Sequence, residues 1–344
     1  MDLLPPRIVR RLVLAPLVFV LCLAFVAVSP LLLLSAALAD IAVRGRWPTV
    51  RVAAFAVVYA ASEAIGLAGA FVLWIASGFG ARMRSERIQS AHYALLGWLL
   101  QRIYGAAVVC FGLRIRIVDR PQPRWGPVLV FGRHAGPGNS LMVVGTLMSA
   151  YRRRPRIVML AKLQWDPLFD TVGNRLPNRF IRHDPQNRDR YLAAIEDLAG
   201  DMGDRDALVL FPEGKDFTPQ LRRRAIARLR RKGHHDEADK AERMRRVLPP
   251  RHGGVRAAMR GAPDADIVFV AHTVLEDLRG FRGLWDAIPL DRPIEARYWR
   301  VPPTEPPGHE EAFIDWLYEW WRRIDDWIGE RRETTTPEAT PAAR

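Results

Sequence analysis

The feature that most restricts how this chain can fold is a run of 28 residues near its start, Leu12–Ala39, that contains no charged side chain. A helix needs about 20 apolar residues to cross the hydrocarbon core of a bilayer, so this run is long enough to span one. A signal peptide is a weaker interpretation, because its apolar region usually has roughly 7–15 residues. Pro30 either kinks one tilted helix or breaks the run into a hairpin that enters the membrane and returns.

A second apolar stretch, Val52–Gly78, carries Glu63 near its middle. A carboxylate inside a membrane is costly unless it is protonated, paired or turned towards protein. Arginines flank both stretches, so a hairpin with every arginine on the cytoplasmic side satisfies the charges best, and two complete spans are the alternative. We predict an N-terminal membrane region over residues 1–85 and place the remainder of the chain on the cytoplasmic face.

From about Leu113 short β-branched runs alternate with longer helical patterns, which is typical of a mostly parallel sheet covered by helices. Strands are predicted at Leu113–Val118, Val128–Phe131, Ile157–Leu160, Ala207–Phe211 and Ile267–Ala271, and helices at Ser140–Tyr151, Pro185–Met202 and Pro219–Leu248. The predicted fold class is therefore α/β, with a mostly parallel central sheet flanked by helices over residues 86–300. Ligands of such sheets bind on loops at the carboxyl ends of strands, and two unusual loops follow Phe131 and Phe211.

A C-terminal amphipathic helix is predicted within residues 301–332, because apolar residues recur there at three- and four-residue steps. The apolar stripe consists of Phe313, Trp316, Leu317, Trp320, Trp321, Ile324, Trp327 and Ile328. It can pack on the sheet or lie at a membrane interface, and packing is favoured because the polar face carries acidic residues, Asp325 among them, that anionic lipid repels. Residues 333–344 are rich in Thr, Pro and Ala and are predicted to be a disordered tail.

The first of the two strand-end loops contains His134, and the second contains Glu213. Histidine is the side chain whose ordinary pKa lies closest to neutrality, so His134 is suited to taking a proton from a substrate. Asn139 or Ser140 is expected to cap the helix that follows. Gly214 permits a backbone amide to face a bound anion. Either loop by itself is also compatible with an ordinary turn between a strand and a helix.

Together the two loops resemble the phospholipid/glycerol acyltransferase family, which includes the 1-acylglycerol-3-phosphate acyltransferases. The family's first motif is a histidine, four residues and an aspartate, which aligns with His134 and Asn139. Its second block, Phe-Pro-Glu-Gly-Thr-Arg, aligns with Phe211, Pro212, Glu213, Gly214, Lys215 and Asp216. The resemblance covers roughly residues 128–274 and implies the fold of glycerol-3-phosphate acyltransferases.

The resemblance implies transfer of a fatty acyl group from acyl-CoA or acyl carrier protein to a hydroxyl of a lysophospholipid or related glycerol-phosphate acceptor. The implied catalytic residues are His134 as general base, Asn139, Glu213 and Gly214, and the implied substrate-binding residues are Arg175, Arg179, Arg182, Phe211, Pro212 and Lys215. A backbone amide near Gly214 is the candidate donor to the oxyanion. The acyl thioester is a co-substrate, and no cofactor or metal is expected, since the two cysteines lack zinc-type spacing.

The departures from the family pattern leave three outcomes open. Asn139 accepts a hydrogen bond but carries no charge, and in serine proteases the comparable exchange of Asp for Asn lowers turnover by ~10⁴. The chain is therefore a slow enzyme, an enzyme in which another carboxylate such as Asp166 or Asp170 reaches His134, or a catalytically inactive acyltransferase-like protein that binds lipid.

Two further departures concern the substrate and the reaction class. Lys215 and Asp216 in place of the family's Thr-Arg pair suggest a different acceptor head group. A hydrolase that pairs His134 with Ser140 is disfavoured, because these residues do not form a Gly-x-Ser-x-Gly elbow.

The net charge is +14, and only four of the 51 basic residues are lysines, so the expected partners are anionic. The Arg152–Arg156 and Arg222–Arg260 segments hold most of this charge in the body of the chain. They can contact the head groups of membrane lipids or the phosphates of coenzyme A, or they can form solvated helix faces. Nucleic acid is not expected as a partner, because the Arg222–Arg260 segment contains no Phe, Tyr or Trp on which bases could stack.

Overall fold

The computed structural model describes residues 4–43, 46–119, 126–136, 138–181, 188–273 and 285–333. The predicted tail beyond Glu333 and the predicted phosphate contact Arg182 lie outside the described residues.

Three long helices form the N-terminal part of the chain. A short helix, α1 (Arg7–Val9), continues through a π-helical segment (Arg10–Leu14) into α2 (Ala15–Val43), and α3 (Pro48–Ala76) and α4 (Glu86–Phe111) follow. The ranges Arg7–Ala42, Pro48–Ala76 and Glu86–Phe111 are long and apolar enough to cross a membrane. Because α2 is continuous through Pro30, the alternative in which this proline breaks the apolar run is wrong. The sequence pattern did not single out α4, whose apolar residues are interrupted by arginines and other polar side chains.

Within the described residues, seven strands form one sheet in the order β1-β7-β6-β2-β5-β3-β4. The strands are β1 (Ile115–Val118), β2 (Val128–Gly132), β3 (Arg154–Leu160), β4 (Arg179–Ile181), β5 (Asp206–Leu210), β6 (Asp266–His272) and β7 (Ile294–Val301). The strands β6, β2, β5, β3 and β4 run parallel to one another, whereas β7 pairs antiparallel with β6 and parallel with β1. The mostly parallel sheet is therefore confirmed. The sequence missed β4, which has three residues, and β7, whose side chains alternate between apolar and charged.

Helices cover both faces of the sheet. They are α5 (Asn139–Ser149), a 3₁₀ helix (Ala161–Trp165), α6 (Pro167–Gly173), α7 (Arg188–Gly200), α8 (Pro219–Arg231), α9 (His235–Arg243), α10 (His252–Gly261) and α11 (Glu310–Glu333). The single helix predicted over Pro219–Leu248 is wrong: α8 ends near Gly233, which adopts a positive φ of 81°, and α9 is followed by an irregular segment with bends before two prolines. The unpredicted α10 begins with a pair of glycines near its start, which is a weak helix signal.

The strands of the central sheet are apolar on both sides because two separate cores flank them. In β2, Leu129 and Phe131 face the cluster built from α7, α10 and α11. Val128 and Val130 face the other cluster, which α5 completes through Val143. This two-sided burial explains why the strands read as continuous apolar runs rather than as alternating ones.

The tryptophan-rich stripe of α11 packs on the sheet, as predicted. The rings of Trp320 and Phe269 are stacked with their centroids 4.7 Å apart, and Trp321 is fully buried. The prediction that Asp325 belongs to the polar face is wrong, since its side chain is buried. It follows Trp321 by four residues and precedes Ile328 by three, which places it on the stripe.

The N-terminal helices lie across the sheet from one edge to the other. At one end Arg46 pairs with Asp291 just before β7, with 2.7 Å between Nη2 and Oδ1. At the other end Arg10 and Arg11 pair with Asp170 of α6, between β3 and β4, at 2.8 and 2.7 Å. Because β7 and β3 lie near opposite edges of the sheet, the α2–α3 pair is tied to the α/β body at both of its ends.

Glu63 is buried where α3 meets α6. Its Oε1 accepts a hydrogen bond from the Leu168 amide at 3.2 Å. Glu63 is therefore tolerated in the apolar helix α3 because its carboxyl group is turned towards protein.

Candidate active site

Two loops meet because β2 and β5 are parallel neighbours in the sheet, with Phe131 opposite Leu210 in the register. The carboxyl ends of parallel strands lie at the same edge, so the loops that follow them are brought together. The His134 amide donates to Glu213 Oε1 at 3.2 Å, and the Phe217 amide donates to the His134 carbonyl at 2.7 Å. The His134 and Glu213 of the two predicted loops thus form one site.

The His134 ring is oriented by two oxygens. Its Nδ1 lies 3.2 Å from Asn139 Oδ1 and 3.2 Å from Asp216 Oδ1. The amide of Asn139 is held in one orientation, because Nδ2 donates to the Arg133 carbonyl at 3.0 Å. Two oxygen acceptors at Nδ1 favour the tautomer with the proton on Nδ1, which leaves the lone pair on Nε2.

The carboxylate beside His134 is Asp216, and the expectation that Asp166 or Asp170 takes this role is wrong. Asp166 caps the N-terminus of α6, where its side chain accepts from the Leu168 and Phe169 amides at 3.0 and 2.9 Å. Asp170 is bound by the arginines of the π-helical segment. The carboxylate that the first motif lacks at Asn139 is therefore supplied by the second loop.

Burial lowers the pKa of His134, and the Asp216 charge and the Asn139 hydrogen bond oppose this shift. The side chain keeps about a quarter of its surface exposed, with a relative accessibility of 26%. A pKa below the ordinary histidine value keeps the ring neutral at pH 7. His134 is therefore in the protonation state that a general base requires.

Phe211 holds the His134 ring from one side. The two rings are stacked with their centroids 4.8 Å apart and an angle of 29° between their planes. Phe211 can approach only because Gly132 has no side chain: a Cβ there would lie 2.9 Å from Phe211 Cε1. The predicted substrate-binding residue Phe211 is thus in contact with the candidate base itself.

We expect Gly132→Ala to lower the free energy of unfolding by about 1–3 kcal/mol, because the added methyl group overpacks the site of the Phe211 ring. Chemical denaturation of the detergent-solubilised protein measures this. Gly145→Ala in α5 is the matched control, since a Cβ there meets no atom within 4 Å. The control should be neutral or more stable by up to about 1 kcal/mol; equal losses in both variants would contradict the close approach.

Glu213 is buried, with 2% of its surface exposed, and connects two backbone segments. Its Oε1 accepts from the His134 amide and its Oε2 accepts from the Leu248 amide at 3.0 Å. Burial raises the pKa of Glu213 to about 8, although the Arg133 guanidinium and the two amides favour the carboxylate. Since amides occupy both oxygens, Glu213 holds the His134 loop against the segment that contains Leu248.

A second buried charged residue, Arg133, binds the same segment that contains Leu248. The fully buried Arg133 donates to the Arg246 carbonyl at 2.8 Å and to the His272 carbonyl at 3.0 Å. Asp325 of α11 accepts from the Arg245 amide at 2.9 Å and from the Arg246 amide. The irregular stretch between α9 and α10 therefore links α11 to the His134 loop.

Gly214 does not present its amide to the site. Its N–H donates to the Phe211 carbonyl at 2.9 Å within the turn, and its φ is +67°. Neither Asn139 nor Ser140 caps α5: the N-cap is Gly138, with a φ of +77° and no side-chain hydrogen bond to the first turn. The first amides of α5, next to His134, thus have no capping side chain. The Asn139 side chain instead donates to the Arg133 carbonyl and lies against His134 Nδ1.

The predicted substrate-binding residues are dispersed. Arg175 donates to the Ala70 carbonyl of α3 and lies 3.3 Å from His92 Nε2 of α4, so it joins α6 to the N-terminal helices. Arg179 is exposed at the start of the edge strand β4. Pro212 is buried in the second loop and Lys215 is exposed on it. Of this set, the structure places Phe211, Pro212 and Lys215 at the site and gives Arg175 a different set of contacts.

Sequence reasoning missed Asp216, Arg133 and Asp325. Asp216 was visible as a departure from the family block, and a carboxylate three residues after Glu213 is a signal that could have been matched with the carboxylate missing at Asn139. Asp325 could have been found from its place on the apolar stripe. Arg133 carried no local signal, because its partners are carbonyls from distant segments.

Among the described residues, no group of three or more His, Cys, Asp or Glu is placed to hold a metal ion. The sheet and its two strand-end loops define an α/β protein. A partly exposed, neutral histidine, His134, lies where the parallel strands β2 and β5 end. Residues 114–274 match the protein-family model described as Acyltransferase.

Two further comparisons accompany the family match. The crystal structure of the 1-acyl-sn-glycerophosphate (LPA) acyltransferase PlsC from Thermotoga maritima is similar to this chain at 13% sequence identity with a TM-score of 0.43. The match covers 81% of this chain and 99% of that one. No curated protein sequence matches the chain significantly.

Proposed function

We propose that this protein is a membrane-associated acyltransferase that moves a fatty acyl group from an acyl thioester to a hydroxyl of a lysophospholipid or related glycerol-phosphate acceptor. The observation that carries the proposal is the pair of oxygens at His134 Nδ1, one from Asn139 and one from Asp216, each at 3.2 Å. They favour the tautomer with the proton on Nδ1, which leaves the lone pair of Nε2 available to a substrate. The acyltransferase family of residues 114–274 supplies the reaction class.

In the proposed reaction His134 Nε2 takes the proton of the acceptor hydroxyl while the hydroxyl oxygen attacks the thioester carbonyl carbon. The carbon–oxygen bond forms, the carbonyl becomes an oxyanion, and the carbon–sulfur bond then breaks as the oxyanion collapses. The leaving thiolate takes the proton from Nε2. Asp216 stabilises the imidazolium that exists between the two proton transfers.

The oxyanion needs donors that are already in place. Since the Gly214 amide is used within its own turn, we propose the uncapped first-turn amides of α5 for this role. They begin at Asn139, and the start of a helix carries a partial positive charge that favours an anion.

The alternative is a catalytically weak or inactive lipid-binding protein, which Asn139 in place of the family aspartate favours. Purified protein in vesicles of phosphatidylcholine, with lysophosphatidate and labelled acyl-CoA, separates the two. The proposal requires transfer of the label to the lysolipid above the protein-free rate. Lipid binding without transfer from acyl-CoA or from acyl carrier protein supports the alternative, and release of free fatty acid without acceptor supports a hydrolase.

Changing the two Nδ1 partners should shift the pH profile in opposite directions. Asp216→Asn removes a negative charge that raises the pKa of His134, so the rising limb of kcat/KM should move to lower pH by about one unit. Asn139→Asp adds such a charge and should move the limb to higher pH by about the same amount. Rate measurements from pH 5 to 9 test this; a limb that stays in place in both variants contradicts the assignment of His134 as the titrating base.

The geometry of the N-terminal helices supports association with one membrane face. Body residues near opposite sheet edges, Asp291 and Asp170, bind opposite ends of the α2–α3 pair. If these helices crossed a bilayer, the charged body would have to contact both membrane surfaces. We therefore propose that α2, whose apolar side chains are mostly exposed, lies within one leaflet. The arginines that flank the apolar stretches favour the cytoplasmic side for the acyltransferase domain.

A further inference from the structure

The irregular stretch between α9 and α10, residues 244–251, is neither helix nor strand, so side chains of other segments fix its backbone. Asp325 of α11 accepts from the Arg245 amide with both oxygens, at 2.9 and 3.0 Å, and its Oδ1 also accepts from the Arg246 amide. Glu213 accepts from the Leu248 amide at 3.0 Å. An amide that loses its acceptor away from water is costly, so the stretch follows the two carboxylates that bind it.

Two routes lead from the irregular stretch to the candidate base. In the first, the Arg246 carbonyl accepts from Arg133, at 2.8 Å from Nη2 and 3.2 Å from Nε. The Arg133 carbonyl in turn accepts from the side chain of Asn139, whose oxygen lies at His134 Nδ1. In the second, Glu213 joins an amide of the stretch to the His134 amide, at 3.0 and 3.2 Å. Both routes end on groups that orient the base.

Asp325 acts on this stretch alone. Its side chain is buried, with 3% of its surface exposed, and within the described residues its hydrogen bonds and its ion pair go to Arg245 and Arg246. The side chain of Arg246 also lies over Gly329, one turn further along α11, where a Cβ would be 2.7 Å from Nη1. Helix α11 therefore holds both the backbone and the side chain at the residue whose carbonyl binds Arg133.

We propose that Asp325 is a positioning residue for the acyl transfer: it holds the irregular stretch in the place from which the two routes orient His134. This inference rests on the proposed function. Asp325 does not touch the base, so its effect is on the geometry in which Nε2 meets the acceptor hydroxyl. Displacing a reacting group by about 1 Å can lower a rate by about 10²-fold. Helix α11 lies outside residues 114–274, so this role falls on a part of the chain that the family match does not cover.

The test compares three variants in labelled acyl transfer. Asp325→Leu removes both acceptor oxygens and should lower kcat by roughly 10- to 100-fold, with the KM of both substrates unchanged. Asp325→Asn retains an oxygen that can take the place of Oδ1, which the two amides share, and should restore most of kcat. The matched control is Asp206→Leu. Asp206 is also buried and accepts from the Gly203 amide at 2.8 Å, but it lies at the amino end of β5, at the opposite edge of the sheet. Its replacement should lower stability but not kcat.

A double-mutant cycle with Arg133→Lys tests whether Asp325 acts through the irregular stretch. A lysine keeps the charge but lacks the guanidinium fork that binds the Arg246 and His272 carbonyls. Because both changes release the same segment, Asp325→Leu should lower kcat by a smaller factor in the Arg133→Lys background than in the wild type. The factor for Asp206→Leu should be the same in both backgrounds. If Asp325→Leu does not fold, Asp325→Ser, which leaves room for water at the two amides, takes its place.

Amide hydrogen exchange, followed by mass spectrometry, gives a readout that does not need turnover. The peptide that contains His134 should exchange faster in Asp325→Leu than in the wild type or in Asp206→Leu. The inference is overturned if folded Asp325→Leu keeps its kcat, if Asp325→Asn is equally slow, if the cycle is additive, or if Asp206→Leu lowers kcat as much. A wild type that shows the exchange effect but transfers no acyl group refutes the proposed function and leaves the link from α11 intact. An active wild type with unchanged Asp325→Leu does the reverse.

Discussion

His134→Ala is expected to lower kcat for acyl transfer by roughly 10²–10⁴-fold, the usual contribution of a positioned general base. The variant loses Nε2, so the acceptor hydroxyl must be deprotonated by water. The ring is partly exposed and its backbone hydrogen bonds remain, so the fold should be retained. Labelled acyl transfer in vesicles measures the loss, and a thermal unfolding curve checks that the protein is folded.

His235→Ala is the matched control for this experiment. His235 begins α9 on the exposed surface, and the structure gives its ring no part in the site. Its replacement should leave kcat within about twofold, as is usual for surface positions. If His134→Ala remains folded and keeps activity similar to that of the control, His134 is not the base and the mechanism proposed here fails.

Glu213→Leu is expected to lower the free energy of unfolding by roughly 2–6 kcal/mol, since two buried amides lose their acceptor at about 1–3 kcal/mol each. Leucine fills a similar volume, so a cavity contributes little. Because one of the two amides is that of His134, the residual folded protein should also have lower activity. Denaturant titration in detergent, with acyl transfer measured below the transition, tests both effects.

Two comparisons make the Glu213 prediction specific. Glu311→Leu replaces an exposed carboxylate of α11 and should change stability by no more than about 1 kcal/mol. Glu213→Gln retains one acceptor and should lie between wild type and Glu213→Leu. The pKa of Glu213 is raised from 4.5 to about 8, so the stability that its protonated form contributes is fully present below pH 4.5 and is lost as pH rises from 4.5 through 8. The stability difference between wild type and Glu213→Gln should therefore shrink from pH 5 to pH 8 and change little above that.

Much of the fold could be predicted from local patterns. The strands β2 and β5, the helix α5 and the stripe of α11 each have a periodicity that is visible within about ten residues. The errors occurred where a local signal was weak or ambiguous. Pro30 lies inside a long helix that α3 supports by packing, and the stretch after α9 is not helical because buried partners, Asp325 and Glu213, bind its amides.

The candidate site was predictable only in part. The two loops and His134 carry motifs, so their chemistry was accessible from the residue types and their spacing. One of the three outcomes left open was that another carboxylate, such as Asp166 or Asp170, reaches His134; these two lie closer in the sequence, but the structure brings Asp216 to Nδ1. Arg175 resembled a phosphate ligand by its position near the middle block, but its guanidinium binds α3 and α4 instead.

The sequence alone therefore determined the apolar N-terminus, the α/β class, and the histidine at a strand end, because these depend on composition and on short-range periodicity. The tertiary structure decided which groups act on that histidine and which hold it in place. The strand order β2-β5 brings together loops 79 residues apart, His134 to Glu213, and the packing of α11 adds Asp325 from still further along the chain. Contacts of this range depend on how the strands pair and the helices pack, and no local pattern encodes them.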